Sequence, residues 1–82
     1  MQEHYELYDS QTYNMLADAL TIGELLVIVR ETAKRHGESA IHGLMLMRED
    51  GSYTEDSLTL IAADDALLEL ARRSETHAAS AR

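Results

Sequence analysis

Several residue types that build or staple small domains are missing from this 82-residue chain. It contains no cysteine, which excludes disulfide bonds, thiolate metal ligands and cysteine nucleophiles. It contains no phenylalanine and no tryptophan, so its four tyrosines are the only large aromatic side chains. The core must therefore consist of leucine, isoleucine, valine, methionine and alanine. A chain this short gains burial most simply by pairing with a second copy.

Basic residues are scarce: seven lysines and arginines stand against 15 aspartates and glutamates, for a net charge of −8. This balance argues against direct binding to nucleic acid or to anionic membranes, both of which need clustered positive charge. The basic residues that do cluster, Arg30, Lys34 and Arg35 and then Arg72 and Arg73, fall late in two predicted helices. There they complement the negative end of the helix dipole.

Long apolar runs are also absent. The longest are residues 25–29 and 44–47, which are far too short to span a bilayer. The first four residues lack the basic and apolar segments of a signal peptide. The sequence therefore predicts a cytoplasmic location.

Alternating polarity, turn residues and helical periodicity predict six elements in the order strand, strand, helix, strand, strand, helix. The predicted strands are residues 4–9, 13–19, 41–48 and 58–62, and the predicted helices are 22–36 and 65–73. This is an α+β fold of ββαββα order, with a four-stranded, mainly antiparallel sheet and two helices packed on one face. Residues 1–73 form one domain, and residues 74–82 are expected to be a frayed C-terminal tail.

The first helix has the clearest boundaries. Thr21 and Glu24 have capping-box spacing, and Gly37 lies where a residue with positive φ ends a helix. Leu20 and Leu25 are spaced as a hydrophobic staple. One stripe of the helix is apolar and consists of Ile22, Leu25, Leu26, Val29 and Ala33. The alternative is that residues 25–29, which are partly β-branched, form a buried strand.

Short segments spread over most of the chain resemble small uncharacterised bacterial proteins of similar length. They are Tyr5-Glu6-Leu7-Tyr8-Asp9, Arg35-His36-Gly37, Leu44-Met45-Leu46, Glu49-Asp50-Gly51 and Leu67-Leu68-Glu69-Leu70-Ala71-Arg72. The resemblance supports the domain layout and implies no activity.

No residue pattern typical of catalysis, cofactor binding or metal binding stands out. The chain has no Gly-x-Ser-x-Gly elbow, and His36 and His42 lack the spacing of zinc ligands. The acidic loop 49–56 has its glycine in the wrong place for an EF-hand. The pair Asp64 and Asp65 is typical of a helix start. We therefore predict no catalytic, metal-binding or cofactor-binding residues and no cofactor.

What remains points to self-association. The third predicted strand is apolar on both faces, and two apolar residues of the first helix lie outside its core stripe. One two-layer domain cannot cover all of this surface. The predicted self-association residues are Val27, Ile28, Leu44, Leu46, Met45 and Met47.

Three functions are compatible with these patterns. The preferred one is a non-enzymatic interaction or regulatory module that acts as a homodimer, with another protein as a further candidate partner. The second is an acidic decoy, or an antitoxin-like neutraliser, of a basic protein. The third is a small ligand-binding domain or enzyme with a cleft at a dimer interface. The second function needs carboxylates concentrated on one face, whereas acidic residues occur in every predicted element.

Overall fold

The computed structural model describes the backbone of residues 2–80 and the side chains of residues 2–74. The strands are β1 (His4–Asp9), β2 (Met15–Ala19), β3 (Leu44–Glu49) and β4 (Leu58–Ala63). The helices are α1 (Ile22–His36) and α2 (Asp64–Ser80), and a 3₁₀ helix spans Glu38–Gly43. The predicted order of strands and helices is confirmed. No helix within the described residues is long and apolar enough to cross a membrane.

The four strands form one antiparallel sheet in the order β2-β1-β3-β4. Leu7 of β1 lies opposite Ala17 of β2 and Leu46 of β3, and Leu46 lies opposite Ala62 of β4. This row of side chains packs against the apolar stripes of both helices. The largest fully buried side chains are Leu7, Leu25, Val29, Ile41, Leu46 and Leu67. The predicted α+β fold, with two helices on one sheet face, is confirmed.

Helix α1 begins and ends at the predicted residues. The Thr21 hydroxyl accepts a hydrogen bond from the backbone N–H of Glu24 at 3.4 Å and donates one to its carboxylate at 3.0 Å. Gly37 follows the helix with φ 89°, and its N–H bonds the carbonyl of Ala33. Because residues 25–29 lie within α1, the alternative strand is wrong. The staple is wrong as well, since Leu20 is 62% exposed.

Both hairpins differ from the predicted boundaries. Strand β2 starts at Met15 because Tyr13, with φ 60°, belongs to the turn. Strand β3 starts at Leu44 because the preceding 3₁₀ helix brings Ile41 into the core. Helix propensity continues through the alanines near residue 80, so α2 is longer than the predicted helix. Within the predicted tail, residues 74–80 are helical, and residues 81 and 82 lie outside the described residues.

Candidate functional site

Among the described residues, no helix lies against the second face of the sheet. Side chains alternate across a strand, so the neighbours of the core row point to this face. We call it the open face. It comprises His4, Glu6, Tyr8, Met15, Asp18, Met45, Met47, Glu49, Leu58, Leu60 and Ala63. The Cα atoms span only 17 Å in the thinnest direction, which is the depth of one helix layer on one sheet.

Much of the open face is apolar and exposed. Met15 of β2 is 50% exposed, and Leu58 and Leu60 of β4 are 40% and 55% exposed. Met45 and Met47 of the central strand β3 lie between these edge strands and are half-buried. A group of neighbouring exposed apolar side chains such as that on β3 and β4 is typical of a binding surface, whereas scattered exposed leucines are not.

Irregularities on both edge strands add to this surface. Leu16 is an extra residue between the pairs Leu7–Ala17 and Tyr8–Met15, and it is 54% exposed. Ile61 is the corresponding extra residue of β4 and is 37% exposed. Bulges twist an edge strand and hinder the pairing of further strands along it. The bulges therefore disfavour the addition of further strands along both edges of the sheet.

A polar cluster interrupts the apolar surface on β1. Glu6 is only 6% exposed, and its carboxylate lies between two neighbours on the same strand face. One oxygen is 2.7 Å from His4 Nε2, and the other accepts a hydrogen bond of 2.6 Å from the Tyr8 hydroxyl. The spacing i, i+2, i+4 aligns the three side chains because a strand repeats every two residues. Met47 lies opposite Glu6 on β3.

The cluster changes the titration of both neighbours of Glu6. Its carboxylate raises the pKa of His4 above 6.5, chiefly through their hydrogen bond, although partial burial acts in the opposite direction. The same kind of hydrogen bond, together with burial, raises the pKa of Tyr8 to about 12. The phenol is therefore a hydrogen-bond donor at neutral pH and a poor proton-transfer group. When His4 is protonated, the cluster is an ion pair with a phenol bound to the carboxylate.

A second buried carboxylate organises the loop between β3 and β4. Glu49 is 2% exposed and accepts hydrogen bonds from the Ser57 hydroxyl at 2.7 Å and from the N–H groups of Tyr53 and Gly51 at 3.0 and 3.1 Å. Tyr53 adopts φ 52°, and its ring centroid is 5.8 Å from that of His4. The loop therefore holds an exposed aromatic ring beside the polar cluster.

This loop is expected to loosen in acid. Desolvation tends to raise the pKa of Glu49, but the three hydrogen bonds outweigh it, and the pKa is lowered from 4.5. The stabilisation by this carboxylate is thus present above pH 4.5 and is lost as the pH falls through the lowered pKa. Protection of the Gly51 and Tyr53 amides against hydrogen exchange should fall by about tenfold over that window.

The variant Glu49→Ala removes the oxygen that accepts from both amides and should show low amide protection already at neutral pH and no further loss in acid. Glu55→Ala, a change of an exposed carboxylate in the same loop, serves as the control and should behave like the wild type. Equal protection of the two amides in wild type and Glu49→Ala would contradict this role of Glu49.

An open cavity of about 710 Å³ lies where the loop meets the His4 end of the sheet. Its lining includes His4, Asp18, Leu20, Glu24 and Tyr53. Asp18 and Glu24 are exposed carboxylates, and the nitrogen of His4 that faces Glu6 is already hydrogen-bonded. Among the described residues, no group of three or more histidines, aspartates and glutamates could hold a metal ion.

The structure distributes the predicted self-association residues over three places. Leu44 and Leu46 are buried against the helices, within the core of a single copy. Met45 and Met47 lie on the open face. Val27 and Ile28 are 47% and 40% exposed on the outer side of α1, beside a small groove with Glu31, Thr32, Arg35 and His36.

Several open-face residues were not predicted from the sequence. The apolar side chains of the edge strands, Met15, Leu58 and Leu60, complete the surface around Met45 and Met47. The alternation of Leu58 and Leu60 was the signal that could have revealed them. For the polar cluster the corresponding signal was the His4-x-Glu6-x-Tyr8 spacing, which places three polar groups on one strand face.

Comparison of the chain with protein-family models, with curated proteins and with solved structures gives no significant match. What the protein does must therefore be inferred from the chemistry and geometry of the open face.

Proposed function

We propose that the protein is a non-enzymatic interaction module that forms a homodimer through the open face of its sheet. One observation carries this proposal: apolar side chains of β3 and β4, together with Met15 of β2, lie on a sheet face that no helix of the described residues covers, and Met15 and Leu60 are at least half exposed. Full burial of such a side chain stabilises by roughly 1.5–3 kcal/mol. Burying the exposed parts of several of them favours association.

The size of the face sets the extent of the interface. Four strands about 4.8 Å apart, each of about six residues at ~3.4 Å, cover a flat area of roughly 20 Å by 20 Å. A standard interface buries about 800 Å² on each partner. Protruding side chains add contact area beyond that of the flat sheet, and so do Leu16 and Ile61 at its borders. The proposed interface uses the whole face.

A second copy is a suitable partner because charge is concentrated at one end of the open face. His4, Glu6, Asp18 and Glu49 lie at that end. Among the described strand residues, the other end of the face has Tyr8, Met15, Met45 and Ala63 and no charged side chain. A two-fold axis across the strands places the charged end of each copy against the apolar end of its partner, which keeps the carboxylates of the two copies apart and leaves the polar cluster within the contact.

The proposal is tested by the molar mass in solution. At micromolar concentration, light scattering should give twice 9.2 kDa for the wild-type chain. Leu60→Asp places a charge that water solvates in the monomer but that lacks a partner in the dimer. It should raise the dissociation constant by at least about 100-fold and give a mass near 9.2 kDa.

Val27→Asp is the matched control, since Val27 is similarly exposed on the helix side of the molecule. It should remain dimeric, and far-UV circular dichroism should show the same fold for all three chains. A wild-type monomer would refute the proposal. A dimer that Val27→Asp separates and Leu60→Asp does not would place the interface on α1 instead.

A ligand-binding role is the second candidate, favoured by the cavity beside His4 and Tyr53 at the border of the open face. A fragment screen followed by NMR distinguishes it from the first. Chemical-shift changes that are confined to the cavity residues and saturate at micromolar ligand concentration would support ligand binding. The absence of chemical-shift changes at those residues would exclude it.

The predicted cytoplasmic location and the predicted absence of nucleic-acid and membrane partners remain predictions.

A further inference from the structure

The ion pair of His4 and Glu6 is unusual in its position. A carboxylate that is 6% exposed lies on an apolar sheet face, next to Met47 on the neighbouring strand. A buried carboxylate is tolerated only when it is paired, and here the pairing comes from an imidazole at 2.7 Å and a phenol at 2.6 Å on the same strand. The pairing is complete within one copy, so each copy can bring the cluster to an interface without a net charge.

We propose that the His4–Glu6 ion pair controls self-association by proton binding. Two copies pair while the imidazole carries its proton and separate when it loses that proton. The inference rests on the proposed function, because the cluster must lie at the interface to affect association. Its physical basis is the charge of the cluster. With His4 protonated, the pair is neutral overall; without that proton, Glu6 retains a negative charge with no cation beside it.

Among the described residues, no second cation replaces His4 beside Glu6, whose other partner is the neutral Tyr8 hydroxyl. From β2, Asp18 lies opposite Glu6, and from β3, Glu49 lies opposite His4; both are carboxylates. The loop contributes Tyr53, a neutral phenol. The arginine of β3, Arg48, is paired across the sheet with the core-facing Tyr5 and forms an ion pair of 3.4 Å with Glu3.

The remaining neighbours make loss of the proton more disruptive. The Glu49 carboxylate already accepts hydrogen bonds from the N–H and hydroxyl groups of its own loop. Helix α1 contributes the carboxylate of Glu24 to the adjoining cavity. Asp18 is exposed and also favours the protonated imidazole. Each neighbour is therefore neutral or negative, and neutral His4 leaves an uncompensated negative cluster at the interface.

The direction of the pH dependence follows from His4. Glu6 raises the pKa of this imidazole above 6.5, so the stabilising charge is fully present below pH 6.5 and is lost as the pH rises through the raised pKa. Association should be strong in mildly acidic and neutral solution and should weaken in alkaline solution. Two copies contribute two protons, so the dissociation constant can change steeply with pH.

The test is the dissociation constant of the whole chain, measured by sedimentation equilibrium at about pH 6 and about pH 9 in about 0.15 M salt, which screens the general repulsion between acidic copies. For the wild type we expect the dissociation constant to rise by at least about tenfold from the lower to the higher pH. Glu6→Gln removes the charge that needs compensation, so its dissociation constant should not rise with pH.

The control is His42→Gln. This histidine also lies 2.7 Å from a carboxylate, that of Asp65, but the pair is exposed and belongs to the helix side of the molecule. Its dissociation constant should follow the wild-type pH dependence. A wild-type dimer with equal dissociation constants at both pH values, or Glu6→Gln with the full wild-type rise, would overturn this inference and leave the dimer intact. A wild-type monomer at both pH values would instead refute the proposed function.

Discussion

Leu46→Ala is expected to lower the free energy of unfolding by about 2–5 kcal/mol, because it removes a fully buried side chain from the centre of the core. Leu46 lies on a central strand, opposite Leu7 on one side and Ala62 on the other. Neither neighbour can fill the cavity without moving a strand. For a chain of this size, whose total stability is of the order of 5 kcal/mol, the loss is large enough to unfold much of the population at room temperature.

Met45→Ala in the same strand provides the matched control. Met45 is half-buried on the open face, so in a single copy its truncation should lower the free energy of unfolding by only about 1 kcal/mol or less. Urea unfolding followed by circular dichroism measures both variants. Repeating it at two protein concentrations separates the loss of core packing from the loss of dimer contacts, since only the latter depends on concentration. Equal effects of the two variants would contradict the assigned faces of β3.

Gly51→Ala is expected to lower the free energy of unfolding by about 2–4 kcal/mol. Gly51 has φ 95°, a conformation that side chains disfavour, and a Cβ atom there would lie 2.7–2.9 Å from backbone atoms of Gln2. Backbone cannot rotate away as a flexible side chain can, so the segment just before β1 would have to shift. His4 lies two residues further along, and the variant should therefore disturb the polar cluster as well.

Substitutions of two other glycines distinguish backbone strain from steric overlap as the cause of destabilisation. Gly37→Ala introduces strain at φ 89° without a close contact, and we expect a loss of about 1–3 kcal/mol. At Gly43 neither a positive φ nor a close contact exists, so Gly43→Ala should change the free energy of unfolding by less than about 1 kcal/mol. Thermal and urea unfolding measure all three variants. If Gly51→Ala proved as mild as Gly43→Ala, the close packing of the loop on residue 2 would be disproved.

Local sequence determined the elements whose signals are short-range. The bounds of α1 follow from Thr21, Glu24 and Gly37 because capping groups act within one turn of the residues they cap. The predicted bounds of β1 were correct because its alternation and the following turn residues lie next to each other in the chain. The predicted start of β3 was wrong because this boundary depends on a contact that is distant in the sequence, the packing of Ile41 into the core.

Periodicity also showed that β3 is apolar on both faces, but not which face meets the helices. A strand repeats every two residues, so Leu44 and Leu46 must lie opposite Met45 and Met47 whichever pair is buried. Only the pairing of β3 with β1 and β4, and the packing of both helices on one side, placed the leucines in the core. That same choice left the methionines on the surface proposed as the interface.

The polar cluster was likewise determined partly by the local sequence and partly by the tertiary structure. The sequence by itself determined that His4, Glu6 and Tyr8 share a strand face, because their spacing matches the period of a strand. Tertiary structure decided that no helix of the described part of the chain covers this face, that Met47 lies beside Glu6 and that the loop places Tyr53 against His4. Those neighbours are about 40 to 50 residues away in the chain, and contacts at that separation depend on sheet order and loop conformation, which no local pattern encodes.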